Sequence, residues 1–268
     1  MLRIYYNEAL TKGDGDLLSH FRGKALQSPT RSTVPLLDMA LNVPSQLLSI
    51  VAECRAEPDS DFRFEYEVRS GSASARPSQT DLMVLGRSRA LAVEAKWTES
   101  AYENVATRLR RRTEDRKNDQ SEQAKALDRA HQEAEVGAWL ARLQPLAPEP
   151  LTTVSMADVV YQMIHRAASA LATGLAPSLL YLHFHDSEIR QGATADQYKT
   201  DLGRLYGKLG RPRSFSFYVA TQPIERTAVF RTIEGLSKTH SSTCAAVREA
   251  LKAGPLFKYG PVEIEQIE

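Results

Sequence analysis

The chain has 268 residues, 42% of them hydrophobic, which is ample for a buried core in one large domain or two small ones. Lys and Arg (34) nearly balance Asp and Glu (33), so any attraction to nucleic acid has to come from local clustering and not from net charge. The two cysteines, Cys54 and Cys244, are far apart and lack metal-ligand spacing, which excludes a disulfide framework and a zinc knuckle and fits reduced thiols.

Taken in chain order, residues 1–43 are mixed. A short apolar start leads to a Gly13-Asp14-Gly15 turn, then to a helix over Leu36–Leu41 entered through Pro35 in its first turn. From Pro44, Leu47, Ile50, Val51 and Cys54 recur at helical spacing and predict an amphipathic helix. Asp59-Ser60-Asp61 breaks it, and Phe62 to Val68 alternates apolar and polar with period two, as a half-buried strand does. Residues 71–78 read as loop. Asp81–Leu85 and Ala90–Trp97 are then two β-like runs joined by Gly86-Arg87-Ser88-Arg89, close enough to form a hairpin.

Residues 99–150 change character, rich in Glu, Arg, Lys, Gln and Ala, and end in Pro145, Pro148 and Pro150: a charged helical insertion followed by a stiff linker. A strong helix is predicted over 156–173, stopped by Gly174. Strands follow at 179–185 and 214–220 with a helix at 194–209 between them, then helices near 225–237 and 240–252 and a terminal strand at 262–267. No window approaches the apolar length of a membrane span and no basic leader opens the chain, so a cytoplasmic protein without a membrane partner is expected, of bacterial or phage type.

The chemistry concentrates on the hairpin. Side chains alternate along a strand, so Glu94 and Lys96 project from one face while Ala95 points the other way, and hairpin register can bring Asp81 opposite them. Two carboxylates and an ammonium on adjoining strands can hold a divalent metal and activate water for phosphodiester hydrolysis. The Asp81 and Glu94 carboxylates with the Ala95 carbonyl would be a sensible oxygen set for Mg²⁺ or Mn²⁺. The competing reading is a solvent-facing pair on an edge strand. Charges in a run as apolar as Leu91 to Trp97 are costly unless partnered, which argues against it.

Asp81 followed by Glu94-Ala95-Lys96 resembles the PD-(D/E)xK nuclease superfamily, the restriction-endonuclease-like proteins. Ser78 to Leu82, Val93 to Lys96 and Tyr161 to Ala170 resemble an uncharacterised bacterial branch of it. The resemblance covers roughly 44–98 and 156–186. It implies an α/β fold with an αβββαβ core, a mixed central sheet and helical additions, as one domain over residues 1–268. It also implies a metal-dependent nuclease, acting on DNA, in which Asp81 and Glu94 bind Mg²⁺ and Lys96 assists the attacking water. Gln162 on the following helix would support the site, and nucleases that cut both strands often pair as homodimers. The sequence departs from the pattern in having Thr80 before Asp81, with the nearest proline at Pro77. Many members add an acid on the first helix. Glu53 is the choice here, with Glu57, Glu65 and Glu67 as rivals.

Arg108, Arg110, Arg111 and Arg112, with Arg116 and Lys117, form the densest basic cluster and are candidates to track a phosphate backbone, or else a solvated helix face. Tyr161 reads as packing, and His165 with Arg166 as helix surface in preference to phosphate contacts. His183 and His185 share a strand face and could form part of a metal site of other chemistry, but no third ligand stands at suitable spacing. The alternative function is a catalytically inactive nuclease-like module that binds nucleic acid or protein.

Overall fold

The computed structural model describes residues 2–21, 24–72, 77–100, 102–114, 122–189, 192–236 and 241–268. Nine strands form one mixed sheet between two layers of helices. The elements are β1 (Arg3–Tyr6), β2 (Ala9–Leu10), α1 (Asp14–His20), α2 (Lys24–Gln27), α3 (Thr33–Asn42), α4 (Pro44–Glu53), β3 (Asp61–Val68), β4 (Ser78–Leu85), β5 (Arg89–Lys96), α5 (Val105–Glu114), α6 (Glu122–Leu143), α7 (Tyr161–Leu171), β6 (Ala176–His185), α8 (Ala195–Lys208), β7 (Ser216–Arg226), α9 (Ala228–Glu234), α10 (Ser241–Ala253), β8 (Phe257–Tyr259) and β9 (Glu263–Gln266). The sheet runs β2-β1-β3-β4-β5-β6-β7-β8, with β9 also on β7. β3, β4 and β5 pair antiparallel, whereas β5-β6 and β6-β7 are parallel and need the helical crossovers that α7 and α8 supply.

Alternation along the strands sends one set of side chains to each layer. Leu91, Val93 and Ala95 of β5 pack with α1, α3, α4, α9 and α10. Ala90 and Ala92 pack with α5, α6, α7 and α8. Among its described residues the charged insertion is helical over α5 and α6, and it contributes to a core: Val136, Trp139, Leu140 and Leu143 of α6 are buried against α7.

Several boundaries differ from the sequence reading. Gly13 to Gly15 opens α1, with Gly13 as its N-cap, because Leu17 and Leu18 have a core to enter. β1 goes unannounced because its support is non-local, a parallel pairing with β3 nearly sixty residues away. α7 begins at Tyr161 and not at 156, since residues 152–159 form tight turns and Val160 bridges Asn104. β7 continues through Pro223 to Arg226 where a helix was expected. Pro223 sits where pairing passes from β6 to β8, so its missing N–H breaks no ladder.

The αβββαβ order is present as α4-β3-β4-β5-α7-β6. The β4-β5 turn is fastened by Glu57, whose carboxylate accepts from the amides of Arg87 and Ser88 (3.3 Å for the latter) and from Ser88 Oγ at 2.5 Å. A Cβ at Gly86 would fall 2.0 Å from Glu57 Oε2, so a larger residue there would displace the Glu57 carboxylate from the turn. Among the described residues no single helix is long and apolar enough to cross a membrane.

Candidate active site

Glu94 and Lys96 lie at the C-terminal end of β5 on the face covered by α7, each 2% exposed. The Glu94 carboxylate accepts three hydrogen bonds. Oε1 accepts from Lys96 Nζ at 2.5 Å and from Gln162 Nε2 at 2.7 Å, and Oε2 accepts from Arg166 Nε. Gln162 and Arg166 are one helical turn apart on α7, so a single helix face delivers both. Burial alone would raise the Glu94 carboxyl. Arg166 and Lys96 outweigh it and hold the group below the usual carboxylate range. Burial likewise opposes the charge on Lys96, but Glu94 and then Asp81 keep the ammonium protonated.

Asp81 stands where β4 and β5 part. Their ladder runs from Leu85-Ala90 to Leu82-Val93, and one further step would set Asp81 against Glu94. Instead Asp81 Oδ2 accepts from the Ala95 amide at 2.9 Å, giving that buried N–H a side-chain partner in place of a backbone carbonyl. Burial, and next the charge of Glu94, push the Asp81 carboxyl well above its ordinary value.

Glu65 completes a row. Pairs Phe64-Leu82 and Tyr66-Thr80 bracket Glu65 opposite Asp81. Glu65 has φ 51°, a left-handed conformation that a non-glycine residue adopts at a cost of about 1–3 kcal/mol. Alternation breaks there: Phe62 and Phe64 enter one core, while Tyr66 and Val68 pack against the other. Burial raises the Glu65 carboxyl to about 7, with Arg166 opposing and Glu94 reinforcing the shift.

Glu65 and Asp81 line a cleft of about 930 Å³ together with Ser78, Tyr102, Arg108, Glu135, Gln162, His165, Arg166 and Arg31. Glu94 and Lys96 lie beneath its floor. His165 and Arg166 are therefore cleft-wall residues, against the surface reading. Arg166 Nη1 donates to Ser78 Oγ at 2.6 Å, and Ser78 Oγ lies 2.8 Å from His165 Nδ1. Burial, then Arg166, drive the His165 pKa far below its usual range, so the neutral ring accepts the Ser78 proton.

The other acids lie elsewhere. Glu53 is exposed on α4, whose buried side chains belong to the core on the opposite side of the sheet, so the choice of Glu53 is corrected in favour of Glu65 as the acid beside Asp81. Glu57 holds the hairpin turn, and exposed Glu67 accepts from Gln79 at 3.0 Å. A signal for Glu65 was available in its register with Asp81, but φ at that residue could not be read. Arg108 is engaged: its guanidinium stacks 3.9 Å from the Tyr161 ring centroid and lies 3.7 and 3.8 Å from Glu103 and Glu135. Arg110 is exposed. The side chains of Arg111 and Arg112, and residues Arg116 and Lys117 altogether, lie outside the described residues. Tyr161 packs in the core as expected, its hydroxyl donating to Glu135 at 2.8 Å. His183 is buried with its pKa lowered to about 4 by burial and His185, and among the described residues no three His, Cys, Asp or Glu side chains form a metal-holding group.

A search of curated proteins and one of solved structures each return no match. A family model described as a domain of unknown function, DUF6946, matches residues 11–211, a span that contains every residue of the cleft. The chain therefore belongs to the DUF6946 family.

Proposed function

We propose that the protein is a metal-dependent nuclease of the PD-(D/E)xK type, with the restriction-endonuclease-like core α4-β3-β4-β5-α7-β6, acting on DNA. The observation that carries this reading is the row Glu65, Asp81, Glu94 on three neighbouring strands, with Lys96 two residues beyond, where an open cleft meets a parting of the sheet. The donor set fits Mg²⁺ or Mn²⁺. It offers hard carboxylate oxygens and the Ala95 carbonyl; burial first, and then the neighbouring carboxylates, raise the Asp81 and Glu65 carboxyls, and a divalent cation would offset both effects. Few protein ligands and several retained waters are usual for Mg²⁺. Asp81, Glu94 and the Ala95 carbonyl would hold the ion, with Glu65 beside them.

When bound, the cation polarises a phosphoryl oxygen and lowers the pKa of water. The chain's own residues do the rest. The Ala95 amide fixes the Asp81 rotamer, Gln162 fixes that of Glu94, and Arg166 balances the Glu94 charge so that the buried carboxylate stays ionised. Lys96 keeps a positive charge under the floor. The test is cleavage of plasmid and short duplex DNA with Mg²⁺. Wild type should cut, while Asp81→Asn and Lys96→Ala should each lose at least about 100-fold, the scale of a lost transition-state contact. Equal cleavage by wild type and both variants would refute the assignment.

A second reading, a non-catalytic nucleic-acid-binding module, draws on the engagement of Glu94 by Lys96, Gln162 and Arg166. Salt-dependent DNA binding unaffected by Asp81→Asn, with no calorimetric Mg²⁺ uptake, would favour it.

A further inference from the structure

Lys96 cannot reach the cleft by itself. Its ammonium is 2% exposed and does not line the cavity. Apart from Glu94, its hydrogen-bond partner is the hydroxyl of Tyr102, 3.0 Å from Nζ, and Tyr102 does line the cleft. An ammonium has donors only, so in this bond the phenol oxygen accepts and its own proton is left to point elsewhere. The Tyr102 ring also covers Nζ, 4.3 Å from the centroid, and so stands between the buried charge and the cavity.

The loop that carries Tyr102 is pinned on both sides. Before it, Glu99 accepts from the Trp97 amide at 2.7 Å and from Ser32 Oγ at 2.7 Å. After it, the Tyr161 amide donates to the Glu103 carbonyl at 3.1 Å, Asn104 bridges Val160, and Asn104 Oδ1 caps α5 by accepting from Thr107 N at 2.8 Å. The backbone at residues 99 and 103–104 is thus held, and the bond from Lys96 Nζ holds the hydroxyl itself. A hydroxyl that accepts from a cation becomes a stronger donor, and a pre-placed donor aimed at developing charge is the kind of group that lowers a phosphoryl-transfer barrier.

We propose that Tyr102 is a catalytic residue of this site, its hydroxyl donating to a non-bridging phosphoryl oxygen and so carrying the charge of Lys96 across the cleft floor. The inference rests on the nuclease reading and deepens it. No covalent step is involved: the phenol proton is shared with the phosphoryl oxygen as negative charge builds there, and it stays on Tyr102. Lys96 is then the group that strengthens the donor, and Tyr102 the group that touches substrate.

The experiment compares full-length wild type, Tyr102→Phe, Asp81→Asn and a protein carrying 3,5-difluorotyrosine at position 102, in Mg²⁺-dependent cleavage of a labelled duplex. Tyr102→Phe keeps the ring over Lys96 and removes only the hydroxyl. Its kcat should fall about 100-fold with KM within about threefold of wild type and thermal melting unchanged. The more acidic fluorinated phenol should retain cleavage and move the alkaline limb of the pH–rate profile to lower pH. Its ¹⁹F resonance should shift on titration with inorganic phosphate. Tyr102→Phe cleaving like wild type while Asp81→Asn is inactive would overturn the role of Tyr102 alone. So would an unmoved alkaline limb, which decides the matter if Tyr102→Phe does not fold. Wild type without cleavage, or Asp81→Asn as active as wild type, would overturn the nuclease reading and the role of Tyr102 with it.

Discussion

Glu94→Gln is the sharpest test of how the site is held together, because it changes one atom's identity at the centre of a buried charge network. Lys96 and Arg166, 2% and 7% exposed, both donate to that carboxylate. Removing one partner of a buried ion pair costs about 3–5 kcal/mol, since the remaining charge keeps its desolvation penalty without its counter-ion. Two cations are stranded here, yet Asp81 lies close by and its carboxyl is held up partly by Glu94 itself. Asp81 remains beside both cations and keeps part of the balance, which places the expected loss at the lower end, about 3 kcal/mol. Urea unfolding reads the loss, with Trp97 in one core and Trp139 in the other reporting both layers. A cycle with Arg166→Met should give a coupling of about 2–3 kcal/mol. The triple variant Glu94→Gln, Lys96→Met, Arg166→Met should be more stable than Glu94→Gln alone, since no buried cation is left stranded. A loss under about 1 kcal/mol, the worth of an exposed pair, would show that Glu94 is not buried between these cations.

The pH dependence has a defined sign. The Glu65 carboxyl is raised from 4.5 to about 7 in the folded chain, so its contribution is fully present below pH 4.5 and is lost as pH rises through about 7. Relative to Glu65→Gln, wild type should lose on the order of 1–3 kcal/mol between those pH values in metal-free urea titrations, and a flat difference would contradict it. Mg²⁺ binding, followed calorimetrically, should tighten across the same window and release protons; pH-independent binding would count against Glu65 as a neighbour of the ion. Asp38 is buried, accepting from the amides of Leu256 (2.8 Å) and Phe257 (3.2 Å) and from the Tyr259 hydroxyl (2.9 Å). Asp38→Asn turns an amide N–H donor toward those donors and should cost about 2–4 kcal/mol by chemical denaturation, with wild-type stability refuting the network. Arg31, exposed on the cleft wall, should act as a phosphate contact: Arg31→Ala should weaken duplex binding and reduce the salt slope by about one, and an unchanged slope would exclude that contact.

The centre of the site was legible because its signal is local. Asp81, Glu94 and Lys96 lie on one hairpin, and charges within an apolar run demand partners. The helix bearing Gln162 was legible from periodicity. Arg166 was not recognised, although it stands four residues after Gln162 on an otherwise apolar face. Its role is to neutralise Glu94, and that requires knowing which side of the sheet α7 covers. Glu53 looked attractive for the same reason: helix periodicity shows that α4 has a buried face, but not which layer it joins. Tyr102 sits in a stretch whose composition suggests solvent-exposed helix, and its contact with Lys96 accompanies pairings such as the Asn104-Val160 bridge, formed across more than fifty residues.

The segment between Lys96 and Tyr161 looks dispensable on paper, a charged excursion from a compact αβββαβ unit. Trimming the protein to that unit would remove Arg108, Glu135 and Trp139 from the cleft and bare the ring of Tyr161. It would also take away Tyr102 itself, together with Asn104 and its bridge to Val160. Tolerance to shortening should therefore be poor here, unlike at ordinary surface loops. The excursion moulds one wall of the cavity, while the acids are seated on the strands.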